Sequence, residues 1–332
     1  MFKSLINPLA TAFAVRFRFI VFFRIIRFLQ KSNLFSEIAT KSVDFYDPNN
    51  LRRKTQKTLA KSLVIQTGIY GEKFSLDLSE HVEYQAFFKG CFDRVVPEVI
   101  KGFAGNLRVD FIDIGANIGL ISLAAAKLGA EVTAFEPLPR NIQAFNANFL
   151  LNLDLRARIW PVALTSNSAV RDSNFMKIYS PEGNSGATSS NRSWNNGRKS
   201  PIEVIVETKT LDECVLDDLL FRNMDVTIIK IDVEGMEFSV LHGATQVLNI
   251  FSPIIILEWR PDKLSEVEKF QLMEFLTSRP NYEVLEVVYD IPRSTLVWSE
   301  VDWQKSSENL AFFPMALKDT VMGNLVPPLP KL

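Results

Sequence analysis

Histidine and cysteine are scarce in this chain, with two of each among 332 residues. Cys91 and Cys214 stand far apart, without metal-ligand spacing. That excludes a disulfide framework or a zinc site, and it fits a reducing compartment. His81 and His242 are too few for histidine-rich metal chemistry. A net charge of −1 excludes a generally basic nucleic-acid binder. No uncharged apolar run at the amino terminus approaches the roughly 20 residues that a membrane-spanning helix needs. No internal repeat is visible. What is plentiful is apolar residue, 47%, enough for a sizeable core in one large domain or two small ones.

The informative stretch is 109–148. An apolar run at 109–112 ends at Asp113. The turn Gly115-Ala116-Asn117-Ile118-Gly119 follows, then a small-residue helix at 120–128 and a second strand at 131–135 that stops at Glu136. This is a βαβ unit suited to a nucleoside at the carboxyl ends of its strands. Glycine at 115 and 119 would let a ligand approach the backbone. Glu136 lies about 20 residues past the first glycine, where a carboxylate accepts from ribose hydroxyls. The turn matches neither G-x-G-x-x-G nor the phosphate-loop pattern. Asp113 would repel a pyrophosphate but suits a ligand with an ammonium group, as S-adenosylmethionine has.

Further acids, Asp232, Glu234 and Glu258, fall where later strands should end. Lys230, Asp232 and Glu234 alternate, so they would point the same way if the strand continued that far. Asp232 with Glu258 would suit a divalent cation, but no third ligand is evident, so no metal is expected.

The segment resembles the first two motifs of class I S-adenosylmethionine-dependent methyltransferases, and more narrowly the FkbM family. The narrower match is carried by Gly183-Asn184-Ser185-Gly186-Ala187-Thr188-Ser189, by Thr210-Leu211-Asp212, by residues 228–235 (IIKIDVEG) with Glu237, Leu241, Gly243 and Ala244, and by residues 253–258 (PIIILE). It spans roughly 80–314. Trp259, Arg260 and His242 depart from the family pattern. The resemblance implies an α/β fold, a Rossmann-like doubly wound sheet of seven mostly parallel strands, preceded here by a helical and hairpin extension. It implies S-adenosyl-L-methionine as cofactor, at Asp113, Gly115, Asn117, Gly119, Glu136, Pro137, Asn141 and Ala163. It implies methylation of a hydroxyl on a sugar, glycan or lipid-linked metabolite. Asp232 is then the candidate base, Lys230 the stabiliser of a developing alkoxide, and Glu234 a further catalytic candidate. Lys230 could equally be a salt-bridge partner, and Glu234 a charge in the first turn of a helix. The tetrapeptide typical of N-methylation is absent at the fourth strand, which argues against an N- or RNA methyltransferase. A binding module without turnover is the other alternative.

Four regions are expected: 1–31, 32–104, 105–316 and 317–332. The first carries six basic residues and no acid, so it holds +6 and the rest of the chain −7. Arg16, Arg24, Arg27 and Lys31 share one helical stripe beside many phenylalanines and isoleucines. Such a helix suits the cytoplasmic face of a membrane, or burial against the catalytic domain or a second subunit. A hairpin is expected at 62–67 and 73–78, and one or two helices at 80–103. A polar loop at 181–201 is expected to be mobile or ordered by ligand.

Overall fold

The computed structural model of the protein describes residues 63–318, apart from 106, 168, 170–172, 192–200 and 223. The expected basic helix at 1–31, most of the last expected region at 317–332 and part of the loop at 181–201 lie outside the described residues.

The chain opens with the hairpin β1 (Leu63–Thr67) and β2 (Lys73–Asp77), then α1 (His81–Lys89) and α2 (Val95–Phe103). Next come β3 (Val109–Ile114), α3 (Leu120–Lys127), β4 (Glu131–Phe135), α4 (Pro139–Leu150), β5 (Arg158–Trp160) and β6 (Ala163–Leu164). The antiparallel pair β7 (Phe175–Ser180) and β8 (Ile202–Lys209) precedes α5 (Leu211–Arg222), β9 (Val226–Ile231), α6 (Glu237–His242), α7 (Thr245–Phe251) and β10 (Ile254–Trp259). The last elements are α8 (Glu266–Thr277), β11 (Tyr282–Asp290), β12 (Thr295–Ser299) and β13 (Ser307–Pro314).

The main sheet runs β12-β11-β13-β10-β9-β3-β4-β5. The five strands from β10 to β5 are mutually parallel, and β13, β11 and β12 pair antiparallel beyond them. Seven of these strands answer the expected doubly wound sheet. β12 is an eighth, added by a tight turn at 291–294 in which Ser294 takes a φ of +53°. A second sheet, β6-β8-β7, stands beside the first.

Strand periodicity explains the layers. Successive side chains point to opposite faces, so each central strand feeds two cores. Val109, Phe111, Val226, Ile228, Ile254 and Ile256 pack with Val96, Val99 and Ile100 of α2 and Ile121 of α3. Ile112, Ile114, Ile229, Ile231, Ile255 and Leu257 pack with Leu211, Val215, Val247, Leu272 and Leu276 of α5, α7 and α8. Continuing the first row toward the carboxyl ends of the strands brings Asp113, Lys230 and Glu258. The charges that matter are thus the last members of apolar rows.

Local signals set the element ends. Ser265 caps α8, accepting from the Glu268 amide, while Glu268 accepts from the Ser265 amide. Pro139 opens α4 at a position where no amide hydrogen is needed. Thr210 Oγ1 accepts from the Glu213 amide at the start of α5 (3.1 Å), and Asp212 caps α7 by accepting from the amides of Gln246 and Val247, both at 3.0 Å. The Thr210-Leu211-Asp212 motif is therefore scaffold, with Leu211 fully buried between the two caps. The amino-terminal hairpin is sewn to α4. Asn148 Oδ1 accepts from the Ser75 amide at 2.7 Å, and Asn152 Oδ1 from the Lys73 amide at 2.8 Å. Phe74, Leu76, Leu78 and Ala86 close a core with Ile118, Leu120 and Leu123. Among the described residues, no helix is long and apolar enough to cross a membrane.

Candidate active site

A cavity of about 510 Å³ opens at the carboxyl ends of β3, β4, β9 and β10. Asp113, Gly115, Asn117, Glu136, Pro137, Ala163, Lys230, Asp232 and Glu234 all line it. Gly119 and Asn141 stand just behind its wall and shape the lining residues.

The glycine turn has a different cause from the one its sequence suggests. Gly115 has a φ of +82°, and a Cβ there would collide with the main-chain carbonyl of Asp232. The crossing of two chain segments, rather than a ligand's approach, demands glycine at that position. Gly119 also sits at +82°, where a Cβ would strike the Phe145 ring. Asn117 adopts φ +52°, a left-handed conformation that asparagine tolerates better than most residues. The Asp232 amide closes the crossing by donating to the Ile114 carbonyl at 3.0 Å.

Glu136 holds this turn from below. Its Oε2 accepts from the Asn117 amide at 2.9 Å and its Oε1 from the Leu138 amide at 2.8 Å. Burial pushes its carboxyl up to about 7, against the pull of those bonds and of the Asn141 side chain. Asp113 is buried, and its Oδ2 accepts from Ser122 Oγ at 2.6 Å. Three buried acceptors on this side have no hydrogen-bond donor: Asp113 Oδ1, Asn117 Oδ1 and Asn141 Oδ1. Left unpaired they are costly, and a ligand bearing N–H and O–H donors would satisfy those that face the cavity.

At the other end, Lys230 is 7% exposed and donates to Asp232 Oδ2 at 3.0 Å, with Asp113 Oδ1 4.0 Å away. Burial works against its charge, but the carboxylates of Asp232 and Asp113 outweigh burial and raise its proton affinity. The salt bridge that competed with a catalytic role in the sequence is therefore present, and it points into the cavity. The expected alternation through Glu234 does not hold. β9 stops at Ile231, and Glu234 turns to φ +51° ahead of a Gly235 at +100°. Glu237 fixes this turn, its carboxylate accepting from the Gly235 amide at 3.1 Å.

The turn carries Glu234 back toward the strand ends. One carboxylate oxygen from each of Asp232, Glu234 and Glu258 falls within 4.8 Å of the others. Glu234, which the sequence offered as an acid but not as a third ligand, completes the group, and the trio has the donor set of a hard divalent cation. Burial, then the charges of Asp232 and Glu234, push Glu258 up to about 8. Arg260 offsets this from 3.5 Å while also gripping Asp262.

Sequence reasoning missed Asp93 and Glu308, which line the same end from the α1–α2 connection and from β13. Neither belongs to a motif, and only the fold brings them near Lys230. His242 is exposed on α6, outside the cavity, and leans on Phe238 with ring centres 6.0 Å apart. The loop after β7 is more fastened than its composition suggests. Its residues 183–189 are held by the Ser185 amide on Glu80 Oε2 (2.9 Å), by Ser189 Oγ on the Glu234 carbonyl (2.7 Å) and by a bridge between Tyr179 and Ser189.

No curated protein matches the chain. Among solved structures, it is similar to the methyltransferase FkbM of Methylobacillus flagellatus KT, at 17% identity and a TM-score of 0.37 over 64% of this chain and 47% of that one. It thus spans just under half the length of that protein. It is also similar to an S-adenosylmethionine-dependent methyltransferase from Agrobacterium tumefaciens (10% identity, TM-score 0.38, 77% of this chain and 71% of that one). A third similar structure is the Pyrococcus abyssi tRNA (uracil-54, C5)-methyltransferase in complex with S-adenosyl-L-homocysteine (13% identity, TM-score 0.36, 76% and 44%). The Methyltransferase FkbM domain matches residues 113–284, just over half of the sequence and the whole span from Asp113 through Glu258. With that match, the chain belongs to the FkbM methyltransferase family.

Proposed function

We propose that the chain is an S-adenosylmethionine-dependent O-methyltransferase acting on a hydroxyl of a sugar, glycan or lipid-linked metabolite. The observation that carries this reading is the Lys230–Asp232 pair opening into the same cavity as the glycine turn and Glu136. The donor-less acceptors at Asp113 and Asn117 fit a cofactor that offers an ammonium and hydroxyls. Asp113 would hold the ammonium and Glu136 the ribose hydroxyls, against a wall of Gly115, Asn117, Pro137 and Ala163. Bound there, S-adenosylmethionine supplies an electrophilic methyl group.

The chain's own work is positioning and proton removal. Asp232 accepts the proton of the acceptor hydroxyl. Lys230, fixed between two carboxylates, keeps Asp232 in place and stabilises negative charge developing on the acceptor oxygen. Glu234 and Glu258 accept from neighbouring hydroxyls. Asp93, Glu234, Glu258 and Glu308 line this end together with Lys89, Lys230, Arg260 and Lys263, a mixed set of acceptors and donors that suits a hydroxylated acceptor. The +6 charge of residues 1–31 supports recruitment to an anionic membrane surface at the cytoplasmic side, at about 1 kcal/mol per basic residue near the leaflet. Deleting that segment is expected to end sedimentation with anionic liposomes.

The test is titration calorimetry with S-adenosylmethionine, followed by a labelled-methyl transfer screen of glycans, lipid-linked sugars and RNA. Binding followed by transfer to a hydroxyl acceptor is the expected result. Transfer to RNA alone would overturn the acceptor class, and binding without any transfer would reduce the protein to a cofactor-binding module.

A further inference from the structure

We propose that α1 reads the acceptor through His81, Gln85 and Lys89, and that the acceptor they suit is a neutral, polyhydroxylated ring. The inference rests on the methyl-transfer reading above.

The three residues are spaced four apart, so they form one stripe along the helix, and each lines the cavity. The opposite side of α1 does the packing, with Glu83 and Ala86 buried. The stripe is a hydrogen-bonded ladder. Gln85 Nε2 donates to His81 Nε2 at 2.9 Å, and Lys89 Nζ donates to Gln85 Oε1 at 3.3 Å. Its rungs rise about 6 Å apart, a spacing that suits hydroxyls on opposite sides of a sugar ring.

The direction of α1 gives the ladder its place. The helix starts beside the loop at 183–189, where the His81 amide donates to the Gly183 carbonyl at 3.1 Å. It ends by handing the chain to Asp93, whose carboxyl feels the charges of Lys230, Asp232 and Glu308. The ladder therefore lines the same cleft as the proposed base and the carboxylates of Glu234, Glu258 and Glu308. Hydroxyls in the cleft would find acceptors on those carboxylates and mixed donors and acceptors on the helix. A phosphorylated or carboxylated acceptor would set its charge against Glu234 and Glu308, which line the same cavity. All three residues lie outside the span matched by the family, 113–284, and so outside the segment that carries the cofactor turn.

The chain has only two histidines, and His242 is exposed and remote from the cavity. This makes His81 a site-specific reporter in the unmodified protein. Full-length protein with isotope-labelled histidine, saturated with S-adenosylhomocysteine, would be titrated with methyl glycosides of neutral hexoses and with their phosphates. The expected result is a saturable shift of the His81 resonance with a neutral glycoside while His242 stays still. Gln85→Ala and Lys89→Met should each raise that glycoside's Kd about tenfold and leave S-adenosylhomocysteine affinity within about twofold. That second measurement also verifies folding. A glycoside that is methylated without moving His81 overturns the proposal. So does binding confined to sugar phosphates, binding of no glycoside at all, or a ladder variant that weakens S-adenosylhomocysteine instead of the glycoside. Failure of the wild-type protein to bind S-adenosylhomocysteine would overturn the methyl-transfer reading along with it.

Discussion

The two ends of the cleft are built in opposite ways. The end with the glycine turn comes from one stretch of chain, Asp113 to Asn141, joined by Ala163, and is organised by main-chain amides: Glu136 alone takes two of them. The end around Lys230 is assembled from β9, β10, β13 and the α1–α2 connection, and is organised by crowded side-chain charge. The first is a rigid berth whose shape is fixed by packing. The second is an electrostatic device in which each carboxylate alters its neighbours. Contiguity gives precision, and convergence gives reactivity.

Asp232→Asn should separate the two ends most sharply. Turnover is expected to fall by about 10²–10⁴, the usual scale for a lost general base, with S-adenosylhomocysteine affinity unchanged in calorimetry. Undiminished turnover would transfer the role to Glu234 or Glu258. Gly115→Ala strikes both ends at once, because the added methyl group displaces the Asp232 carbonyl and the backbone is held at φ +82°. Strain and overpacking together put the loss near 3 kcal/mol, read as a fall in Tm, and cofactor binding and turnover should fail together. If the variant melts like wild type, the approach of Gly115 to the Asp232 carbonyl is not as tight as described.

Glu136→Ala acts on the berth alone. Loss of a charge-assisted bond to ribose hydroxyls should weaken cofactor binding by about 2–3 kcal/mol, and kcat should recover at saturating cofactor. A kcat that stays low would mean that Glu136 shapes the reacting end as well. The smallest effects should come from the charge device without ligand. Glu258 titrates near 8, Glu136 and Glu237 near 7, all above the ordinary carboxylate value of 4.5. A carboxyl whose folded pKa is raised stabilises the fold below its unfolded pKa, and that contribution is lost as pH rises through the folded pKa. The Tm of the ligand-free protein should therefore decline from pH 5 to pH 9, and Glu258→Gln should flatten the upper part of the decline. EDTA is expected to leave transfer unchanged, whereas loss restored by Mg²⁺ would give the Asp232–Glu234–Glu258 trio to a metal.

The same contrast explains what the sequence made legible. The berth could be read because its residues are neighbours along the chain and follow strand, turn and helix spacing. The sheet could be read because its apolar rows are long and uninterrupted. Other features depended on contacts across the sequence. Gly115 was legible as a necessary glycine, but the atom that makes it necessary belongs to Asp232, more than a hundred residues away. Glu234 seemed to continue a strand's alternation, and the left-handed turn at 234–235 broke it. Asp93, Glu308 and the α1 ladder carry no motif at all. β12 escaped notice because a short strand at a sheet's edge needs only one partner and leaves a weak pattern.

The asparagine amides that bind Lys73 and Ser75 carry one more consequence. They occupy the open side of β2, the place where another strand would otherwise add on, so that side of the hairpin is closed to pairing with a second chain. They also tie residues 63–103 to the rest of the described fold. A chain cut at residue 104 would leave Asn148 with an acceptor unpaired and Ile118, Leu120 and Leu123 facing water. The region that carries the family's motifs would then lack one of its core layers.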